Sequence, residues 1–148
     1  MQGSRSIQAV NCSILIALCS ITMPTFAKTE LKGVAILDHP CGKVSVKQMG
    51  LIHAGKFDEA NKLSTTQMQD QWKAMPAKDR EMMSGMAKEM AQTPEQFSND
   101  VKANGLLVVD GKQATLTVKS MKRDANGSST STTTQNFQVD GNQCLVSR

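Results

Sequence analysis

Aromatic residues are scarce in this chain of 148 residues. It contains no tyrosine, one tryptophan and four phenylalanines, which together make up 3% of the sequence. Proteins that bind single-stranded nucleic acid stack the bases on aromatic side chains, and few are present here. The positive charges are interspersed with negative ones, and the formal net charge is only +4. We therefore expect no nucleic-acid partner.

The sequence also lacks the residue arrangements that common enzymes use. It has no Gly-rich phosphate-binding loop and no Ser–His–Asp arrangement. Asp110 and Asp140 each precede a glycine, which is typical of turns. His53 stands at the end of a predicted helix, where a capping or surface role is favoured. We therefore expect a non-catalytic protein without a cofactor.

The N-terminal segment has the features of an export signal. Residues 1–27 combine Arg5 and no acidic residue with an apolar run over 14–21 and the sequence Thr-Phe-Ala at their end. The apolar run is too short to span a bilayer comfortably. We predict cleavage after Ala27 and a periplasmic or secreted protein without stable membrane insertion. An uncleaved N-terminal anchor is the alternative.

Two of the four cysteines remain after this cleavage, Cys41 and Cys144. An oxidising compartment favours one disulfide between them. The bond would join the start of the first helix to the last strand. The functional alternative is a thiol or metal pair of Cys41 with His39, although no Cys-x-x-Cys spacing supports it.

The C-terminal third of the chain carries the strongest structural signal. Turn signals occur at Asp110-Gly111, at residues 124–127 and at Asp140-Gly141. Asp-Gly and Asn-Gly accept the positive φ that tight hairpin turns require. We therefore predict a four-stranded antiparallel meander whose strands cover residues 106–109, 112–121, 130–139 and 143–147.

Along these strands apolar side chains recur at every second residue. Ala114, Leu116 and Val118 share one face of the second strand, and two threonines and a lysine occupy the other. One side of the sheet is therefore expected to pack on a core while the other faces water. The apolar face continues through Phe137, Val139, Cys144 and Val146.

Most of the chain before the meander has helical periodicity. Apolar residues recur at helical spacing over residues 43–53, and the helix resumes over 57–63 after an interruption at Gly55. Residues 79–91 form the clearest helix. Residues 28–38, with an apolar run over 34–37, are interpreted as a short strand or an extended arm that ends at His39-Pro40.

Two segments have the spacing of a capping box. Residues 64–67 begin with Ser64 and residues 93–96 begin with Thr93, each followed three positions later by glutamine. Helices followed by an antiparallel sheet define an α+β fold with the helices on one face. We divide the chain into a leader (1–27), an N-terminal arm (28–42) and a single domain (43–148).

Methionines are concentrated in the predicted helix at 79–91. Met82, Met83, Met86 and Met90 have the spacing of one helix face, which favours packing in the core, where methionine could replace the missing aromatics. Two alternatives stay open. Such a face can adapt to different protein partners, and thioethers are soft ligands that suit Cu(I).

Trp72 is the only tryptophan, and it precedes a break at Met75-Pro76. Packing in the core is the default for such a residue, and a half-exposed position would make it a binding anchor. The candidate binding residues are Trp72, Met83, Met86, Met90 and Phe137, and the candidate Cu(I) ligands are Met82, Met83, Met86 and Met90.

The helix at 46–53 and the following Ala-Gly-Lys-Phe-Asp-Glu-Ala segment resemble the opening of small secreted domains with the nuclear transport factor 2-like fold. The order of the hairpins after Gly105 is also similar, so the resemblance covers residues 44–147. It implies a curved sheet that forms a cone around the helices, with a pocket at its open end. Cys144 departs from the family, which often has tryptophan in the last strand, and a disulfide would substitute for that ring.

Proteins of this superfamily include isomerases, dehydratases, ligand carriers, transport adaptors and immunity proteins, and the fold alone does not choose among them. The resemblance and the absence of catalytic motifs favour an exported binding protein, most concretely a periplasmic immunity-type inhibitor that neutralises a toxin or effector. The alternatives are a carrier of a small apolar ligand, a Cu(I)-binding protein and a small isomerase or hydrolase. The chain could also pair with a second copy as a homodimer.

Overall fold

The computed structural model of the protein describes residues 27–124 and 127–148. Two predicted features lie outside the described residues: the leader, apart from Ala27, and residues 125–126 of the turn between the second and third predicted strands. Helices precede the main sheet, so the α+β class is confirmed. The elements are β1 (Thr29–Lys32), α1 (Val34–Asp38), α2 (Pro40–His53), α3 (Phe57–Asn61), α4 (Thr66–Ala74), α5 (Ala77–Met90), α6 (Pro94–Asn104), β2 (Gly105–Asp110), β3 (Gln113–Asp124), β4 (Gly127–Asp140) and β5 (Gln143–Ser147).

The strands form one open antiparallel sheet in the order β1-β2-β3-β4-β5. β2 to β5 are the four predicted strands, and Gly111 and Gly141 occupy turns with φ of 58° and 57°. A fifth strand, β1, pairs with β2 and places Leu31 opposite Leu107. A strand or an arm was expected within residues 28–38, but its signal was the apolar run over 34–37 and not β1, because Leu31 is the only apolar residue of β1 and leaves no alternating pattern.

Residues 34–37 belong to helix α1, so the expectation of a strand or an extended arm there is wrong. Gly33 has a φ of 62°, which suits glycine and reverses the chain between β1 and α1. The helix brings Ile36 into the core, where it is fully buried. His39 is extended before Pro40, as residues before proline prefer, and this ends α1.

The capping box at the start of α6 is confirmed. The Thr93 hydroxyl accepts a hydrogen bond from the Gln96 N–H at 3.2 Å, and Gln96 Oε1 accepts one from the Thr93 N–H at 3.2 Å. Pro94 occupies the first helical turn, where a missing N–H costs nothing. These interactions fix the start of the helix that covers the middle of the sheet.

The capping box predicted at residues 64–67 is wrong. Helix α4 begins after Thr65, whose side chain makes no capping hydrogen bond. Ser64 is buried and lies beside β5 instead. The Thr65 N–H donates to the Val146 carbonyl at 2.8 Å, so this segment is held by the edge of the sheet.

The core lies between the inner face of the sheet and helices α1, α2 and α6. Ala114, Leu116 and Val118 are buried on the inner face of β3, as their alternation predicts. Phe97 and Val101 of α6 pack against them from the other layer. The buried cluster consists of Ile36, Cys41, Phe97, Val101, Leu107, Ala114, Leu116, Val118, Phe137, Cys144 and Val146.

Helix α5 is not part of this core layer. Among the described residues, neither α4 nor α5 contains a buried side chain, and α5 packs against α2. The expectation that the methionine-bearing helix covers the sheet is therefore wrong. Helical spacing shows that a helix has an apolar side, but it does not show which element lies against that side. Here α1, α2 and α6 already cover the inner face.

Candidate functional site

The four methionines of α5 are exposed to solvent. The exposed fractions of Met82, Met83, Met86 and Met90 are 60%, 48%, 58% and 77%. Packing in the core, the default interpretation of this stripe, is therefore wrong. Met121 of β3 is 66% exposed and lines the same hollow as Met90. We call these five residues the methionine surface.

The methionines lie on the side of α5 that faces away from the body of the protein. Arg80, Ser84 and Ala87, which follow one another at helical spacing, are half-buried on the inner side of the helix. None of these three residues offers a large apolar side chain for packing against α2. The apolar surface of α5 therefore lies in water, which is unusual for a contiguous patch unless it contacts another molecule.

Trp72 lies in a groove on the opposite side of α5. Its ring is half-buried, and its Nε1–H donates to Asp58 Oδ1 at 3.1 Å. The groove has a volume of about 500 Å³ and includes Phe57, Arg80 and Lys88 among its lining residues. Trp72 and Phe57 also border a second, smaller hollow of about 130 Å³. Trp72 is thus accessible at the edge of a groove that both polar and apolar residues line.

The groove also holds an unusual polar atom. Arg80 Nε is buried without a hydrogen-bond partner among the described residues. The residue as a whole is only half-buried. An unpaired buried donor costs free energy unless a water or another group meets it.

Phe137 is in the core and not on a free surface. Its side chain is 1% exposed and packs in the buried cluster. One edge borders a cleft of about 540 Å³ between the start of α4 and strand β5, with Lys112 and Arg148 also in its lining. The structure therefore places the predicted binding residues in three separate regions: the methionine surface, the Trp72 groove and the core.

The predicted disulfide between Cys41 and Cys144 is present. His39 is therefore not part of a thiol or metal pair with Cys41, because that sulfur is already bonded. Instead, His39 caps α2, since its Nδ1 accepts a hydrogen bond from the Cys41 N–H at 3.2 Å. Burial lowers the pKa of His39 below its ordinary value.

A polar cluster beside Met90 and Met121 was not predicted. Asp100 Oδ2 accepts hydrogen bonds at 2.7 Å from both Ser120 Oγ and Gln92 Nε2. Ser120 is buried, and it continues the inner face of β3 after Val118. The sequence carried a signal for this cluster, because a polar residue on an apolar face needs a partner when it is buried. The cluster ties α6 to β3.

A second polar network connects α2 to β4 under the helical layer. Ser45 Oγ donates to Gln135 Oε1, and Gln135 Nε2 donates to Gln48 Oε1. Gln48 Nε2 in turn reaches Ser64 Oγ at 3.4 Å. Because each amide both donates and accepts, the chain of hydrogen bonds satisfies its own members. This network fixes the position of α2 relative to β4.

Within residues 27–124 and 127–148, no three His, Cys, Asp or Glu side chains are grouped so that they could hold a metal ion. No helix in the same part of the chain has the length and apolar composition needed to cross a membrane. A search of protein-family models, of curated proteins and of solved structures found no match for this chain.

Proposed function

We propose that this protein is an exported binding protein that holds another protein against the methionine surface. The observation that supports this function is the exposure of four successive methionines on α5, at 48–77%, in a fold whose core lies elsewhere. Burying apolar side chains in an interface is favourable by about 25 cal/mol per Å² of area removed from water. Flexible thioether side chains can also fit a partner of irregular shape.

The charges near this surface define the kind of partner. Helix α5 carries as many basic as acidic side chains, so no single sign of charge dominates. A partner that presents an apolar loop or helix without a strong charge of one sign would fit. In its most concrete form the proposal is a periplasmic immunity-type inhibitor, and the partner is then a secreted toxin or effector encoded by a neighbouring gene.

The test uses the exported protein and the product of its neighbouring gene. The two should co-elute in gel filtration, and a Met83→Gln, Met86→Gln double variant should bind at least about tenfold more weakly, since two anchors lose their apolar ends. Glutamine preserves side-chain length and helix propensity, so folding is retained. A Leu145→Gln variant is the control, because Leu145 is a partly exposed apolar residue on β5.

Unchanged affinity in the methionine double variant would contradict this proposal even if the two proteins bind. Equal losses in the methionine variant and in the Leu145 control would contradict it as well. If the neighbouring product does not bind but another exported protein is retained and released by the methionine substitutions, the immunity-type version alone is wrong.

Cu(I) binding is a second candidate function, because the same thioethers are accessible to solvent. Met82 and Met86, and Met86 and Met90, are four residues apart, and such pairs lie one above the other on a helix. Thioethers bind Cu(I) in preference to harder cations. The ligand-carrier and isomerase or hydrolase alternatives have no comparable observation in the described residues.

Leucine substitutions separate copper binding from protein binding. A Met83→Leu, Met86→Leu double variant keeps an apolar surface but loses two thioethers. Cu(I) retention against a competing chelator should fall in this variant, whereas binding to an apolar protein surface should be largely kept. Unchanged Cu(I) retention would remove the copper function.

A further inference from the structure

The hairpin formed by β3 and β4 extends beyond its neighbouring strands. β3 and β4 pair continuously from Gln113 opposite Gln138 to Asp124 opposite Gly127. β5 pairs only with the part of β4 that runs from Asn136 to Asp140. Within the described residues, positions 127–135 of β4 therefore have a strand on one side only. This part of β4 is called the free edge below.

The pattern of hydrogen bonds shows which backbone groups the free edge presents. The Val139 N–H donates to the Lys112 carbonyl at 2.8 Å, so odd-numbered residues of β4 bond towards β3. The backbone N–H and C=O groups of even-numbered residues of β4 then point away from β3. The bonds of β5 agree. Val146 exchanges hydrogen bonds with Leu63 and Thr65 on the side away from β4, so its neighbours Leu145 and Ser147 bond towards β4, where they lie opposite Gln138 and Asn136. The outward N–H and C=O groups of the free edge belong to Ser128, Thr130, Thr132 and Thr134.

The free edge lacks the features that normally prevent two strands from pairing. Residues 128–134 are all serine or threonine, with no charge and no proline, and the register with β3 contains no bulge. The opposite edge of the sheet, β1, carries Glu30 and Lys32. Natural proteins commonly protect exposed edges with charges, prolines or bulges, and an unprotected edge can pair with another chain.

We propose that the free edge pairs with the same edge of a second copy of this chain, in an antiparallel two-fold dimer centred on Ser131. In this register Ser128 of one copy lies opposite Thr134 of the other, and Thr130 opposite Thr132. All outward N–H and C=O groups then find partners, which gives about eight hydrogen bonds. The result is one continuous sheet across both copies.

A second copy fits this edge better than a strand of another composition. The free edge carries no charge, so pairing with itself brings no like charges together, and opposed threonines and serines form favourable cross-strand pairs. Lys119 lies opposite Thr132 on β3. In the dimer the two β3 strands, which carry Lys119, are three strand spacings apart, roughly 14 Å. This distance exceeds the Debye length of about 8 Å at physiological salt, so the two lysines repel each other little.

The length of the free edge also suits this register. When Ser128 lies opposite Thr134, residue 136 of one copy lies just beyond Gly127 of the other. Since β5 begins to pair at Asn136, its paired residues do not overlap residues 127–135 of the opposite β4. The methionine surface is not required for the contact, so this dimer does not depend on the proposed function of that surface.

Sedimentation of the full exported protein over a concentration series tests the dimer. We expect a monomer–dimer equilibrium that Thr132→Lys shifts towards monomer by at least tenfold, because the new charges meet near the two-fold axis. Thr117→Lys is the matched control. Thr117 lies on the outer face of β3, flanked by β2 and β4, so this variant should dimerise like the wild type.

Cysteine cross-linking tests the register. Ser131 of one copy faces Ser131 of the other with Cβ atoms about 4.5–5.5 Å apart, so Ser131→Cys should form a covalent dimer on oxidation. In Ser129→Cys the two new thiols are far apart and should not cross-link. A monomer at every concentration, equal effects of Thr132→Lys and Thr117→Lys, or equal cross-linking at both positions would overturn the proposal.

Discussion

The Cα atoms of Cys41 and Cys144 are 5.0 Å apart, although 103 residues separate these cysteines in the sequence. Both side chains are buried in the core. The disulfide between them joins the first turn of α2 to the start of β5. Since β5 is otherwise a short edge strand, this bond couples the C-terminal end of the sheet to the helical layer.

Removal of the disulfide should destabilise the protein strongly. Closing a loop of this length restricts the unfolded chain by about 4–5 kcal/mol in the chain-entropy model. A Cys41→Ala, Cys144→Ala double variant should lose a large part of this free energy of unfolding in a urea titration. Reducing agent should lower the stability of the wild type and leave the variant unchanged. Equal stability of wild type and variant would contradict the structural role of the bond.

Two helical glycines should respond to alanine in opposite directions. A Cβ at Gly42 would lie 1.8 Å from the Ile36 carbonyl oxygen, which belongs to the backbone and cannot move aside. Gly42→Ala should therefore destabilise the protein by about 3 kcal/mol, the upper range for overpacking. Thermal unfolding monitored by circular dichroism measures the change.

Gly85→Ala is the matched control. Apart from the neighbouring residues and the backbone of α5 itself, nothing lies within 4 Å of a Cβ at this position. Alanine should therefore stabilise the helix by about 0.5–1 kcal/mol through propensity alone. If Gly42→Ala left the unfolding temperature unchanged or raised it as Gly85→Ala should, the close approach of α1 and α2 at Gly42 would be contradicted.

The sheet was predicted from the sequence because its signals are local. Asp-Gly turns require positive φ, and alternating residues such as Leu116 and Val118 define an inner face without reference to the rest of the chain. Helix α1 was missed for the opposite reason. A short apolar run such as residues 34–37 is compatible with a strand or a helix, and only contacts with α2 and α6 decide between them.

The position of the methionine surface could not be predicted from spacing. Periodicity placed Met82, Met86 and Met90 on one side of a helix, and that was correct, but whether a side is buried depends on competition among helices for the sheet. Phe97 and Val101 of α6 occupy the inner face of the sheet. The Trp72 groove depends in the same way on how α4 and α5 pack, which no single-residue pattern encodes.

The stability of the protein should depend on the protonation of His39. Its Nδ1 accepts the Cys41 N–H, which the protonated ring cannot do, and burial lowers its pKa below 6.5. Between that lowered pKa and 6.5 the unfolded chain binds a proton that the folded chain does not. The contribution of His39 to the free energy of unfolding should therefore be constant above this window and decrease as the pH falls through it.

His39→Asn is the control for this pH dependence. Asparagine also caps helices but does not titrate in this range. Urea titrations between pH 7.5 and pH 5 should show a shallower loss of stability in the variant, and both proteins retain the exposed His53. Parallel curves for wild type and variant would show that protonation of His39 does not act on the helix cap.

Alanine substitutions of an exposed and a half-buried methionine should have different effects on stability. Met86 is 58% exposed, whereas Met68 is half-buried and packs against the core cluster. Met86→Ala should change the free energy of unfolding by less than about 0.5 kcal/mol, as expected for an exposed site. Met68→Ala should cost about 2 kcal/mol, at the lower end for buried methionine because the side chain is partly exposed. Urea titrations of both variants measure the difference. If Met86→Ala lowered the free energy of unfolding as much as Met68→Ala, the methionines of α5 would stabilise the fold and would not be free to bind a partner.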